Sequence, residues 1–144
     1  MDVLIHISGK QTLAGEKPDT IELTTSGTLE PTAEGWQLRY AESEATGLPG
    51  TTTTVHITAQ RVVLERSGPN ASILVLEKHR RHHCNYNTPY GMLDLGTYAT
   101  AIDFRFDDKG GTLDFAYTLG FNGGINSTHA VHIEVEDKAT CLLS

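Results

Sequence analysis

The chain has 144 residues, a formal net charge of −7 and a pI near 5.4, with 38% hydrophobic and 20% charged residues. That length can bury a core without disulfide or metal staples, and that composition excludes both a disordered chain and one dominated by membrane spans. The acidic balance opposes broad contact with a polyanion, so DNA is not an expected partner.

One globular domain over residues 1–144 is the economical reading. The opening "MDVLIHISGK" has no positive n-region and no long apolar run, which predicts no cleaved signal peptide, no membrane association and a cytoplasmic protein. Cys84 and Cys141 flank no CxxC, so free thiols are expected, with no zinc knuckle or redox motif. The N-x-[ST] matches at Asn70 and Asn126 would matter only in a secreted chain.

Period-two alternation recurs from end to end, and no stretch keeps a helical apolar stripe over three turns. Val3, Ile5 and Ile7 alternate with Leu4, His6 and Ser8. A second run leads from Ile21 and Leu23 through Thr25 and Gly27 to Leu29. Trp36, Leu38 and Tyr40 form a third face, opposite Gln37 and Arg39. In "TTTTVHIT", Val55 and Ile57 share one side, with Thr54, His56 and Thr58 on the other. "RVVLER" and "SILVLE" are joined by the turn signal "SGPN" and read as a hairpin. The longest run, 91–106, is expected to bend at a bulge near Gly96. "DDKGG" closes the next turn, and Leu113, Phe115, Tyr117, Leu119 and Phe121 make a five-member apolar face. The last strand sets Val131, Ile133 and Val135 against His132, Glu134 and Glu136.

Most of the connections are short and rich in Gly, Pro, Asn or Asp, which favours antiparallel neighbours. The stretch "ESEATGLPG" at 42–50 reads as one longer hairpin loop. The fold expected is all-β, an antiparallel meander closed into a barrel of about eight to ten strands, because closure removes exposed edges. Were a gap left, the first or last strand could pair with a second copy, so a monomer or weak homodimer is expected.

The stretch "LEKHRRHHCNYNTPYG" at 76–91 crowds His79, Arg80, Arg81, His82, His83 and Cys84 together. On a strand, Arg80, His82, Cys84 and Tyr86 share one face, and Arg81, His83 and Asn85 the other. The second set reads as solvated, and His82 as the histidine directed inward. Zinc would need three or four convergent ligands, and local spacing offers two at most, so no metal or other cofactor is expected. A Cys84 nucleophile would need an activating base and an orienting group, neither of which the spacing supplies.

The segment "YNTPYG" at 86–91, with "LDLGTYATAID" after it, "TLDFAYTL" at 112–119, "LERSG" at 64–68 and "TTSGTL" at 24–29, resembles the YwiB-like proteins, a bacterial family of unknown function. The likeness spans nearly the whole chain at modest identity. It implies a calycin-like barrel related in shape to lipocalins and fatty-acid-binding proteins. Where such proteins tend to carry a turn glycine this chain has His79, so "EKHR" is expected to be a hairpin turn with His79 near positive φ.

Two functions follow as expectations. A closed barrel can hold one small hydrophobic or anionic ligand inside, and the inward residues with a polar handle are Tyr40, Arg66, His82, Tyr86 and Tyr117. An inward Arg66 has an anionic group as its natural partner, and the lipocalin-like shape points to a fatty acid or another small carboxylate. The alternative is a protein or RNA contact surface on a solid barrel, carried by the His79–His83 rim. No paired carboxylates, phosphate loop, nucleophile elbow or metal spacing speaks for an enzyme, which ranks last.

Overall fold

The computed structural model describes residues 1–13, 16–42, 50–68, 71–88, 91–121 and 127–139, with the side chains of 84–88, 91–93 and 121 outside that description. Ten strands are formed: β1 Asp2–Leu13, β2 Asp19–Pro31, β3 Gly35–Ala41, β4 Thr52–Thr58, β5 Arg61–Ser67, β6 Ser72–Glu77, β7 Arg81–Thr88, β8 Gly91–Asp107, β9 Gly110–Phe121 and β10 Ser127–Asp137. They make a single antiparallel sheet in the order β6-β5-β4-β3-β2-β1-β10-β9-β8-β7. Sequence neighbours pair from β1 to β6 and from β7 to β10, as short Gly- and Asp-bearing turns favour, while β1 pairs with β10 and, among the described residues, only a single bridge, Glu77↔Arg80, links the β6 and β7 ends.

The expectation that the first or last strand might be an edge is corrected. β1 and β10 pair along their whole length, from Val3↔Asp137 to Leu13↔Ser127, and lie in the middle of the sheet. The two ends of the sheet are β6 and β7, and the cylinder nearly closes where β6 meets β8. There a parallel bridge joins Lys78 to Ala99. The His79 amide donates to the Ala99 carbonyl at 2.9 Å, and Thr97 Oγ1 donates to the Val75 carbonyl at 2.6 Å. His79 makes the β6–β7 turn at φ 59°.

The irregularity in β8 is not at Gly96. Gly96 pairs regularly with Gly120, and the register shifts between Ala99 and Ala101. Thr100 is the extra residue, so the inward row runs Leu95, Thr97, Ala99 before the shift and Ile102, Phe104, Phe106 after it. That change of parity keeps apolar side chains inside along a strand of 17 residues.

Inward residues of β1–β6 and β8–β10 meet in one core that includes Val3, Ile5, Leu29, Leu38, Val55, Ile57, Val62, Leu76, Ile102, Leu113, Ile133 and Val135. One end is shut by aromatic rings: Trp36 of β3 lies 5.8 Å from Phe106 of β8, which stacks on Phe104 at 6.1 Å. β2 and β3 approach so closely that a Cβ on Gly27 would strike the Arg39 carbonyl and the Ile5 side chain. The absence of a side chain there lets the wall curve tightly.

Candidate functional site

Followed toward the other end of the cylinder, the inward rows change character together. On β3 the row Trp36, Leu38 continues to Tyr40 and then Glu42. On β4, Ile57 and Val55 give way to Thr53 and Thr51, and on β5, Val62 and Leu64 give way to Arg66, which pairs in register with Thr53 and with Ser72 of β6. On β9, Leu113 and Phe115 lead to Tyr117. On β10, Val135, Ile133 and Val131 lead to His129 and Ser127. Alternation aims all of these at the interior, so the polar residues converge.

Contacts join them into two groups, Tyr40 with Thr53 and Glu42, and Tyr117 with Phe115, His129 and Ser127, and the Arg66 charge reaches the tyrosine of each. Thr53 Oγ1 donates to Glu42 Oε1 at 2.7 Å, and both residues are buried. The Tyr40 hydroxyl meets Thr53 and Glu42 as well, and its pKa is pushed up to about 12, mainly by burial and then by the neighbouring Glu42 carboxylate, with the Arg66 charge opposing. Arg66 also acts on Tyr117 beyond the β6–β8 seam, where burial raises the phenol's pKa and the guanidinium offsets part of the rise. Tyr117 stacks on His129 with centroids 4.7 Å apart and planes 7° from parallel, and on Phe115 at 6.0 Å. His129 Nε2 and Ser127 Oγ are hydrogen-bonded at 2.8 Å. Burial lowers the His129 pKa and favours its neutral ring.

Arg66 Nε is itself buried and has no hydrogen-bond partner among the described residues. No ion pair joins Arg66 to Glu42, although Tyr40 feels both charges. A buried guanidinium edge is costly to leave unmet, and its planar fork matches the two oxygens of a carboxylate.

Three of the five sequence candidates, Tyr40, Arg66 and Tyr117, are thus brought together. His82 is placed elsewhere, at the seam. Its Nε2 lies 2.8 Å from Glu77 Oε1, the atom that also accepts from Arg61 Nη2 at 2.5 Å. Arg80 approaches the other oxygen of Glu77 at 3.8 Å, and these neighbours, Arg61 first, lower the Glu77 pKa. The side chain of Tyr86, with that of Cys84, lies outside the described residues. Glu42, His129 and Ser127 are members of the cluster that sequence reasoning missed. Continuing the Tyr40 row by two residues, and the Val131 row backwards by two and four, would have found them.

The rim at 79–83 is exposed at His79, Arg80, Arg81 and His83, with His83 Nδ1 3.5 Å from Asp94 Oδ1. On the outer wall, His132 bridges Asp114 and Glu134, and a groove of about 410 Å³ runs past His6, Glu22, Thr24 and His132. Among the described residues no three His, Cys, Asp or Glu side chains are grouped to hold a metal ion. Among them, too, no helix is long and apolar enough to cross a membrane.

Fold and site together define a nearly closed, ten-stranded antiparallel barrel with a packed apolar half and a polar half that holds one half-buried arginine. The chain belongs to the family described as "Domain of unknown function (DUF1934)", whose profile matches residues 5–133. The solved structures include a similar fold, the ywiB protein from Bacillus subtilis, with a TM-score of 0.77 at 20% sequence identity, covering 94% of this chain and 92% of that one. No curated protein matches the sequence.

Proposed function

We propose that this barrel is a binding module for a small anionic ligand, seated in the polar half of its interior with its charged group on Arg66. The observation that carries the reading is the buried Nε of Arg66, without a hydrogen-bond partner among the described residues, on an arginine whose charge reaches both Tyr40 and Tyr117. An anion there would supply the missing acceptor and offset the desolvation of the guanidinium. Tyr40, Thr53, Ser127 and His129 add hydroxyl and imidazole groups around it, the mixture of apolar wall and few polar groups that ligand pockets show. A contact surface on the 79–83 rim has less support, because Arg80 and His83 already face Glu77 and Asp94.

The test is native mass spectrometry of the freshly purified protein beside its Arg66→Met variant. A copurifying or added organic acid retained one per chain by the wild type and lost in the variant is the expected result. Equal retention by both proteins would remove Arg66 from the site.

A further inference from the structure

We infer that the ligand is a compact monocarboxylate confined to the polar half of the interior, neither a long-chain fatty acid nor a phosphate. This deepens the anion-binding reading above and rests on it.

Size is set by the packed half. A void wide enough for water leaves its lining accessible, yet Val3, Ile5, Leu38, Val62, Leu76 and Leu113 are 0% exposed and Val55 and Ile57 1%. These side chains face one another from β1, β3, β4, β5, β6 and β9, so no water-sized space separates them. Beyond them the Trp36–Phe106 contact spans the interior. An acyl chain anchored on Arg66 would have to displace this core, whereas Tyr40, Arg66, Ser72, Tyr117 and His129 all keep partial exposure. The accessible inward side chains therefore begin where the apolar rows end.

Charge is set by Glu42. One arginine and one buried carboxylate flank the Tyr40 hydroxyl, and neither is ion-paired to the other. A monocarboxylate can lie bidentate on the guanidinium edge while keeping its single charge away from Glu42. A phosphate dianion would place a second negative charge in the same space beside Glu42 with no second cation among the described residues of the cluster to meet it, and like charges in low dielectric repel strongly. The ladder of Phe115, Tyr117 and His129 rings offers a flat wall for the body of such an acid.

The experiment titrates the full chain with benzoate, palmitate and inorganic phosphate separately, by calorimetry and by the aromatic NMR signals of Tyr40, Tyr117 and His129. Benzoate is expected to bind one per chain, to shift those signals, and to bind at least tenfold more tightly than palmitate or phosphate. Its affinity should fall at least tenfold in Arg66→Met. Arg66→Lys keeps the charge without the planar fork and should fall between the two, a control that stands even if the methionine variant folds poorly. Palmitate or phosphate bound more tightly than benzoate, and lost with Arg66, would overturn the compact-monocarboxylate inference while leaving the anion site in place. No Arg66-dependent binding of any of the three would overturn both.

Discussion

The two halves of the barrel interior are built on the same strands only a few residues apart, and they are opposites. On β5, Val62 is fully buried among aliphatic neighbours, while four residues on Arg66 carries a buried nitrogen without a partner. On β9, Leu113 is sealed in the core, while four residues on Tyr117 stacks against His129 and senses the Arg66 charge. The alternation that aims a side chain inward is the same in both halves. What differs is whether facing rows can fill the space between them with carbon, and that decides where the interior is sealed and apolar and where it is polar and partly exposed.

The largest expected effect tests that division directly. Leu113→Ala removes a side chain with 0% exposure, and should cost about 2–5 kcal/mol in urea unfolding, from lost transfer energy and the cavity left behind. Arg66→Met, which replaces a guanidinium whose buried Nε lacks a partner among the described residues with an apolar chain of similar length, should leave stability within about 1 kcal/mol of the parent in the absence of ligand. An Arg66→Met cost as large as that of Leu113→Ala would show that the polar half is a second structural core.

A smaller effect comes from Tyr40, where the two halves meet. Its pKa is raised from 10.0 to about 12 in the folded state, first by burial. The folded protein therefore holds this proton where the unfolded chain has released it. The stabilisation is fully present below pH 10 and is lost as pH rises through the folded value, by about 3 kcal/mol for a shift of this size. Absorbance of phenolate during an alkaline titration should show Tyr40 ionising near pH 12, with Tyr117 also displaced upward, and Tyr40→Phe should remove the first of these components together with its share of the alkaline loss of stability. Ionisation of every tyrosine near pH 10 would mean that the hydroxyl is far wetter than its contacts with Thr53 and Glu42 imply.

Much of this was legible in the residues. Alternation of Val3, Ile5 and Ile7, or of Leu113, Phe115 and Tyr117, identifies strands and their inner faces, because one buried side forces a period of two. The bulge was legible but misplaced. Glycine drew attention to Gly96, yet an added Cβ there would meet only His83 atoms at 3.7 and 3.8 Å and the Gly120 carbonyl at 3.8 Å. The telling signal was the switch of apolar parity from Ala99 to Ile102. The buried cluster was half legible: Tyr40, Arg66 and Tyr117 sit within clear runs, whereas Glu42 and Ser127 lie just where the apolar pattern fades and alternation stops advertising a strand. The position of His82 was not legible at all, since its partner Glu77 lies across a turn and next to Arg61 of another strand.

The smallest effect compares two histidines on the same strand three residues apart, one directed in and one out. His129 lies inward, and burial lowers its pKa below the ordinary 6.5. The unfolded chain takes up that proton more readily, so acidification below pH 6.5 should erode stability through His129 until the folded value is passed. His132 lies outward between Asp114 and Glu134, and the Asp114 hydrogen bond leads in raising its pKa above 6.5. Its contribution is present below pH 6.5 and is lost as pH rises through the raised value, and because the group is largely solvated it should amount to about 0.5 kcal/mol. Ring NMR titrations should therefore place the two midpoints on opposite sides of the reference value, with His132→Gln abolishing only the upper one. A bound carboxylate beside Arg66 would add negative charge on the inner face alone, so it should move the His129 midpoint upward and leave that of His132 where it was. Movement of both midpoints together would show that the anion sits on the outer wall.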